Sequence, residues 1–230
     1  KKIFPRPKAK NWFAQKHGFD RKFTVLYSGN MGRCHDMDTI METARRLRDD
    51  DIQFVFIGKG AKHQDCQEQA AEWGLKNCTF LPFQDKHTLP YSLTACDLSL
   101  VSISPGMEGL VAPSKLYGIL AAGRPVAAIC ESHSYLRSLI ARAGCGQTFD
   151  NFDSESLAAF VRNLAANPQT VTRMGQSGRE YLLDHFTPEI IAKQYADVLG
   201  ITQPDVAELP ASGQAGGLAR TTKPTRIPAC

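Results

Sequence analysis

The chain has 230 residues, of which 43% are hydrophobic, so it is long enough for one domain with a sizeable core. It contains no run of about 20 apolar residues, which excludes a membrane-spanning helix, and its polar first residues predict no signal peptide. The net charge of +4 is concentrated at the amino terminus, since residues 1–22 carry eight Lys and Arg and only one acid, Asp20.

Strands and helices alternate along the chain. Runs of β-branched and aromatic residues predict strands at 23–28, 52–57, 78–81, 98–103, 125–130 and 145–149. Apolar residues at helical spacing predict helices at 38–47, 61–73, 87–95, 114–122, 133–143, 154–166, 168–185 and 188–199. This order predicts an α/β fold, a Rossmann-like doubly wound parallel sheet with helices on both faces.

Composition divides the chain into three parts. Residues 1–22 are predicted to be a solvated linker, residues 23–200 the α/β domain, and residues 201–230 a disordered tail rich in Pro, Gly, Ala and Thr. The basic charge of residues 1–22 also suits an anionic partner or a membrane surface, and that alternative stays open.

Seven scattered cysteines form no CxxC pair, and we interpret them as reduced, buried, small hydrophobic residues of an intracellular protein. No paired Cys and His spacing suits zinc, so no metal site is predicted. Asp36-Met37-Asp38 has the form of a divalent-ion motif, but its place at a helix start favours a helix cap.

Loops that follow strands meet at one edge of a parallel sheet, where open α/β sheets bind ligands. In the first such loop, Gly29, Asn30 and Gly32 would let backbone N–H groups approach an anion, with a plain tight turn as the alternative. Gly58-Lys59-Gly60 follows the second strand but lacks the Lys-Ser/Thr of a P-loop, so a surface turn is the simpler interpretation.

The start of the predicted helix 114–122 is the most informative segment. Pro113 stiffens the approach, Ser114 is predicted to cap the helix through its hydroxyl, and Lys115 then stands at the positive end of the helix. Because a cation is unfavourable there unless an anion faces it, we predict a phosphate site, with a solvated surface lysine as the alternative. Arg33 and Glu108 are further loop charges, each either a site residue or a surface residue.

Several segments between residues 9 and 199 together resemble the carboxyl-terminal half of a GT-B glycosyltransferase of glycosyltransferase family 4. The segments are Asn11–Phe13, Val25–Gly32, Phe54–Gly60, Asn77–Phe83, Cys96–Leu98, Ala112–Lys115 and Ala121–Val126. The stretch from Tyr27 to Gly32 and the Pro113-Ser114-Lys115 loop look like the branch that acts in O-antigen, capsule and exopolysaccharide assembly.

The resemblance implies a domain that binds a nucleotide-diphosphate sugar for transfer to a glycan or lipid-linked acceptor, with retention of configuration and without a metal or cofactor. It implies that an acceptor domain is missing here, that residues 1–22 are the remnant of an interdomain linker, and that this half alone is inactive. The expected location is the cytoplasm, with peripheral contact to the inner membrane face as an extension. No nucleic-acid partner is expected.

The resemblance also assigns roles to loop residues. Lys115, Arg33 and Glu108 are expected to act in catalysis, the first two together with the Gly29 and Gly32 amides by neutralising the departing diphosphate. Donor binding is expected from Gly29, Asn30, Gly32, Gly58, Lys59, Phe83, Pro113 and Ser114, with the backbone near Phe83 holding the base.

One departure from the family pattern leaves alternatives open. The two glutamates of the family's E-x7-E motif fall on Leu110 and Gly118, whose side chains accept no hydrogen bond, and Glu108 is the expected substitute for the first. Either the donor is held through Ser114 and Lys115, or the domain is a non-catalytic nucleotide-binding or interaction module. A GT-B-like sugar-nucleotide epimerase is a second enzymatic alternative.

Overall fold

The structure is a computed structural model in which residues 3–200 are described. Six parallel strands form one sheet in the order β3-β2-β1-β4-β5-β6. The strands are β1 (Phe23–Asn30), β2 (Ile52–Lys59), β3 (Cys78–Leu81), β4 (Leu98–Ser102), β5 (Val126–Ile129) and β6 (Gly146–Phe149). The strand order reverses direction between β1 and β4, which confirms the predicted doubly wound α/β fold and creates a switch point there.

Helices precede the first strand, connect the strands and follow the last one. They are α1 (Trp12–His17), α2 (Asp38–Arg46), α3 (His63–Glu72), α4 (Leu89–Ser92), α5 (Lys115–Ala121), α6 (Tyr135–Ala143), α7 (Ser154–Ala166), α8 (Pro168–His185) and α9 (Pro188–Val198). α7 and α8 have the predicted bounds, and α4 is shorter than predicted. α9 lies almost wholly in a second compact unit that begins at Glu189. The predicted tail at 201–230 lies outside the described residues.

The two faces of the sheet carry separate hydrophobic clusters because side chains alternate along each strand. Val25 and Tyr27 of β1 pack with residues of α2 and α7 on one face. Leu26, between them, packs on the other face with Phe13 of α1. The central strands are therefore buried on both sides, as their continuous apolar runs predict.

The solvated-linker prediction is wrong for residues 11–19. Phe13 and Phe19 are 2% and 3% exposed and belong to the same cluster as Leu26. The Asn11 side chain caps α1 by accepting from the Phe13 N–H, and its amide donates to the carbonyl of Tyr91. Burial of two phenylalanines outweighs the polar composition of this segment. Its role as an interdomain linker stays a prediction.

The cysteine prediction is confirmed in part. Cys66, Cys96, Cys130 and Cys145 are buried free thiols, whereas Cys34 and Cys78 are half-buried. Cys230 lies outside the described residues. Within residues 3–200, no helix is both long and apolar enough to cross a bilayer.

Candidate binding cleft at the switch point

A cleft of about 500 Å³ opens where β1 and β4 diverge, at the carboxyl edge of the sheet. Its lining comes from the end of β1, the loop after β3 and the loop that leads into α5. The lining residues with polar side chains are Ser28, Asn30, His35, Gln84, Ser99, Ser114 and Lys115. Apolar side chains such as Leu26 and Ile57 form much of the remaining wall, so the polar groups act in a partly desolvated space.

Lys115 carries the amine of this cleft, and the surroundings of that amine are unusual for a lysine. Its Nζ is buried and has no hydrogen-bond partner among the described residues. The Nζ lies 3.7 Å from the centroid of the Tyr27 ring, which is a cation–π contact. Burial lowers the pKa of Lys115 to about 7. An unpartnered buried amine is costly, so this position favours an anion in the cleft.

Tyr27 supports Lys115 from β1. The Tyr27 side chain is fully buried, and its hydroxyl donates to the Asn30 carbonyl over 2.9 Å. Burial raises the pKa of Tyr27 far above its usual range, so the hydroxyl stays protonated and keeps donating. This bond ties the end of β1 to the ring on which the lysine lies.

His35 lies in the same cleft and packs edge-on against the Tyr27 ring at a centroid distance of 6.1 Å. Its Nδ1 is 2.8 Å from the Ser102 carbonyl, which only accepts, so Nδ1 carries the proton. Burial, and secondarily the charge of Lys115, lowers the pKa of His35. The neutral ring therefore has its lone pair on Nε2.

Two glycines at this edge let the backbones of β1 and β2 lie close to each other and to Lys115. Gly29 has φ +138°, and a Cβ there would lie 3.5 Å from Cε of Lys115. Gly58 has φ +142°, and a Cβ there would lie 2.0 Å from the Gly29 carbonyl oxygen. Since β1 continues to Asn30 alongside Lys59, the loop that the sequence predicts from Gly29 onward begins two residues later than expected.

A second depression lies beside the cleft and shares Phe83 with it. Gly58, Lys59 and His63 contribute to its wall. The Phe83 side chain is 50% exposed and stands between the two spaces. The predicted residues Gly58 and Lys59 therefore lie next to the cleft rather than in it.

The structure brings together six of the predicted site residues in the cleft lining: Gly29, Asn30, Phe83, Pro113, Ser114 and Lys115. The Ser114 capping prediction is wrong, because within the described chain the Ser114 hydroxyl makes no capping hydrogen bond to α5. Ser114 is exposed and already has helical backbone angles, whereas a capping residue typically has extended ones.

Three predicted residues line neither the cleft nor the second depression. Arg33 is exposed, and its guanidinium pairs with none of the residues in 3–200. One carboxylate oxygen of Glu108 is buried without a hydrogen-bond partner in the described chain. Gly32 is buried, and a Cβ there would lie 2.8 Å from Nδ2 of Asn30.

The positions of the missing glutamates differ from each other. Gly118 is in the cleft lining, 3.6 Å from Leu93 measured from an added Cβ, whereas Leu110 is 78% exposed and outside the lining. A glutamate at position 118 would lie at the cleft wall. Glycine has no side chain, so position 118 offers no carboxylate to a ligand in the cleft.

The helix-cap interpretation of Asp36 agrees with the structure. Its carboxylate accepts from the Thr39 N–H over 2.9 Å and from the Thr39 hydroxyl over 2.6 Å. The amide of Asn151 donates to the same carboxylate over 2.7 Å. These bonds occupy the carboxylate at the start of α2, as expected of a cap.

Sequence reasoning missed His35 and Tyr27. His35 lies in the loop that follows β1, and this position at the carboxyl end of a strand is the signal that the sequence offers. In the sequence, Tyr27 is an ordinary apolar strand residue. Its contact with Lys115 joins positions 88 residues apart, so no local sequence pattern predicts that contact.

Comparison with known proteins identifies the class. Residues 9–181 match the family model described as "Glycosyl transferases group 1", and the chain belongs to this family. It is 31% identical over 177 residues to WcaI of Escherichia coli K12, whose name assigns it to colanic acid biosynthesis as a glycosyl transferase. That match covers 76% of this chain but 42% of WcaI, so the chain spans less than half the length of this relative. The family resemblance is confirmed.

Solved structures agree on the fold. HepE of Anabaena, crystallised with UDP and glucose, superposes with a TM-score of 0.72 at 18% identity, over 86% of this chain and 53% of HepE. The carboxyl-terminal domain of a glycosyl transferase group 1 protein from Francisella tularensis superposes with a TM-score of 0.66 at 16% identity. That match covers 81% of this chain and 96% of the Francisella domain.

Proposed function

We propose that the cleft binds the diphosphate of a nucleotide-diphosphate sugar, and that the longer protein transfers this sugar to a glycan or lipid-linked acceptor. The observation that carries the proposal is the Nζ of Lys115, which is buried at the switch point without a partner among residues 3–200. A diphosphate would supply the missing partner and accept a charge-assisted hydrogen bond.

The chemistry of transfer fits this arrangement. Negative charge develops on the diphosphate as the bond to the sugar breaks, and a preorganised cation in an apolar cleft stabilises that charge. Lys115 would act directly on it. Arg33, exposed in the neighbouring loop, would reach the diphosphate only if that loop moves or another domain turns the side chain inward. We propose retention of configuration and no metal requirement, both from the family.

The donor would extend from Lys115 towards Phe83. Phe83 lines the cleft, is half exposed and borders the second depression, so its face is available to a base. The adjacent backbone would hold the edge of that base. Gly58 and Lys59 would then contact the donor from the second depression.

Catalysis would need a second domain. HepE is about twice as long as the matched part, and the Francisella match is to a carboxyl-terminal domain. We therefore propose that residues 1–230 form the donor-binding half and are inactive in transfer alone, because catalytic groups must be held together around both substrates. The retained amine at the cleft favours this proposal over a non-catalytic module.

The test is calorimetric titration of UDP-, GDP-, ADP- and TDP-sugars into the chain at pH 7. Lys115→Ala should weaken donor binding by about 1.5–3 kcal/mol, the range for a hydrogen bond to a charged group. Lys76→Ala, a change at an exposed lysine between α3 and β3, is the matched control and should bind like the parent. Equal affinity of the Lys115 variant and the parent would refute the assignment.

A further inference from the structure

We propose that Lys115 takes up a proton when the donor diphosphate enters the cleft, so that donor affinity falls as the pH rises above neutrality. The inference rests on the proposed function and adds to it a proton that binds together with the donor. Tyr27 is the positioning residue, because its ring contacts the amine, and His35 packs edge-on against that ring.

The geometry disfavours a charged amine in the empty cleft. Nζ of Lys115 is buried against the Tyr27 ring and the Gly29 backbone, and no carboxylate of residues 3–200 lies within 4 Å of it. The cation–π contact compensates only part of the lost hydration. Burial accordingly brings the pKa of Lys115 to about 7, so much of the amine is neutral in mildly alkaline solution.

The other titratable groups near the amine do not take up this proton in place of Lys115. The Tyr27 hydroxyl stays protonated, and the half-buried Cys34 lies in the loop that follows β1. Lys62 donates to the His35 carbonyl over 3.0 Å, and it lies 3.6 Å from Asp38, which offsets its charge.

His35 stays neutral over the same pH range. Its pKa is lowered by burial and by Lys115, and its Nδ1–H is held by Ser102. Above pH 7 the imidazole therefore has no proton to give to the amine, and the proton must come from solvent.

Linkage sets the direction and size of the effect. A bound diphosphate favours the ammonium and raises the pKa of Lys115, so the complex holds more protons than the free protein above pH 7. The association constant should then fall by up to about tenfold per pH unit between the two pKa values. Below pH 7 the free amine is already protonated, and the dependence should flatten.

The experiment is calorimetry with UDP-glucose, GDP-mannose, ADP-glucose and dTDP-glucose from pH 6.5 to 9, in two buffers of different ionisation enthalpy. Both phosphates of these donors are esterified or bridged, so the donors lack the terminal phosphate ionisation near pH 6 that would mask the protein's proton. We expect the observed enthalpy to differ between buffers at pH 8 by the amount for uptake of up to one proton.

Three variants assign the proton to its residue. Lys115→Arg carries a permanent charge, and Lys115→Met carries none, so both should abolish proton uptake and flatten the pH profile, whatever their affinity. Lys76→Met removes an exposed amine outside the cleft, and it should retain the uptake of the parent. Uptake that persists in Lys115→Met or disappears in Lys76→Met would overturn the proposal.

The outcomes separate the two proposals. Donor binding that does not depend on pH and releases or takes up no proton would overturn this inference and leave the proposed function intact. Absence of binding by all four donors at every pH would overturn both.

Discussion

The half-buried lysines at the two edges of the sheet differ in whether their amine has a partner. At the amino edge, Lys8 forms an ion pair with Asp97 just before β4, and Asp97 also accepts from the Thr24 N–H over 2.8 Å. At the carboxyl edge, Lys115 has no such partner within residues 3–200. A buried charge that is paired secures the fold, whereas one left unpaired indicates a ligand site.

The same contrast extends to the backbone. At the amino edge, Lys8 also donates to the Lys22 carbonyl, which fastens the amino-terminal segment to the domain. At the carboxyl edge, Gly29 and Gly58 bring two strands together at positive φ and leave room for Lys115 to lie beside them. One edge closes the fold, and the other keeps an open cleft.

The largest expected effect is at the amino edge. Asp97→Ala would remove the ion-pair partner of Lys8 and the acceptor of the Thr24 N–H, so the free energy of unfolding should fall by about 2–3 kcal/mol. Urea denaturation measures the change. Asp51→Ala removes an exposed pair with Lys22 at 3.5 Å and should change stability by less than about 1 kcal/mol. A loss at Asp97 no greater than at Asp51 would remove the distinction between the edges.

The next effect is at the carboxyl edge, where removal of the Lys115 amine should raise the free energy of unfolding instead of lowering it. The folded pKa of Lys115 is about 7, below the unfolded value, so the unfolded chain holds more protons between these values. Burial of the charged Lys115 lowers the free energy of unfolding at pH 7. As the pH rises through that window, this free energy should increase by at most about 1.4 kcal/mol per pH unit.

This pH effect should be absent when the amine is removed. The difference in unfolding free energy between Lys115→Met and the parent should favour the variant at pH 7 and shrink towards pH 9, as measured by urea denaturation at both values. Lys76→Met is the control and should show a constant difference from the parent. A Lys115→Met variant that is less stable than the parent at pH 7 would mean that the amine is structurally paired.

The smallest effect concerns the exposed cations of the amino-terminal segment. Lys10, Lys16 and Arg21 remain exposed although the segment packs on the domain, so a weak contact with an anionic membrane is expected. Each engaged cation contributes about 1 kcal/mol near such a surface, and salt screens the attraction.

Vesicle co-sedimentation measures this contact. We expect binding to anionic vesicles at low salt, weaker binding near physiological salt, and little binding to neutral vesicles. The double variant Lys10→Glu, Lys16→Glu should bind less than Lys76→Glu, Lys86→Glu, which changes the same charge elsewhere on the exposed surface. Equal loss in the two double variants would reduce the effect to net charge alone.

Much of the fold follows from local sequence patterns. The alternation of apolar runs and amphipathic segments predicts the order of strands and helices, and β3, α7 and α8 have their predicted bounds. Local patterning suffices there because each segment buries one face or both faces independently of its partners. The packing of residues 11–19 could not be predicted in this way, because Phe13 and Phe19 are covered by elements distant in the sequence.

The candidate site divides along the same line. The sequence alone places Gly29, Asn30, Phe83, Pro113, Ser114 and Lys115 in loops after strands, and all six line the cleft. Only the tertiary structure shows that Lys115 lies on the Tyr27 ring and that its Nζ has no partner within residues 3–200, while Arg33 and Glu108 lie outside the lining. Whether a charge is paired or solvated depends on what surrounds it in space, and sequence spacing does not record those neighbours.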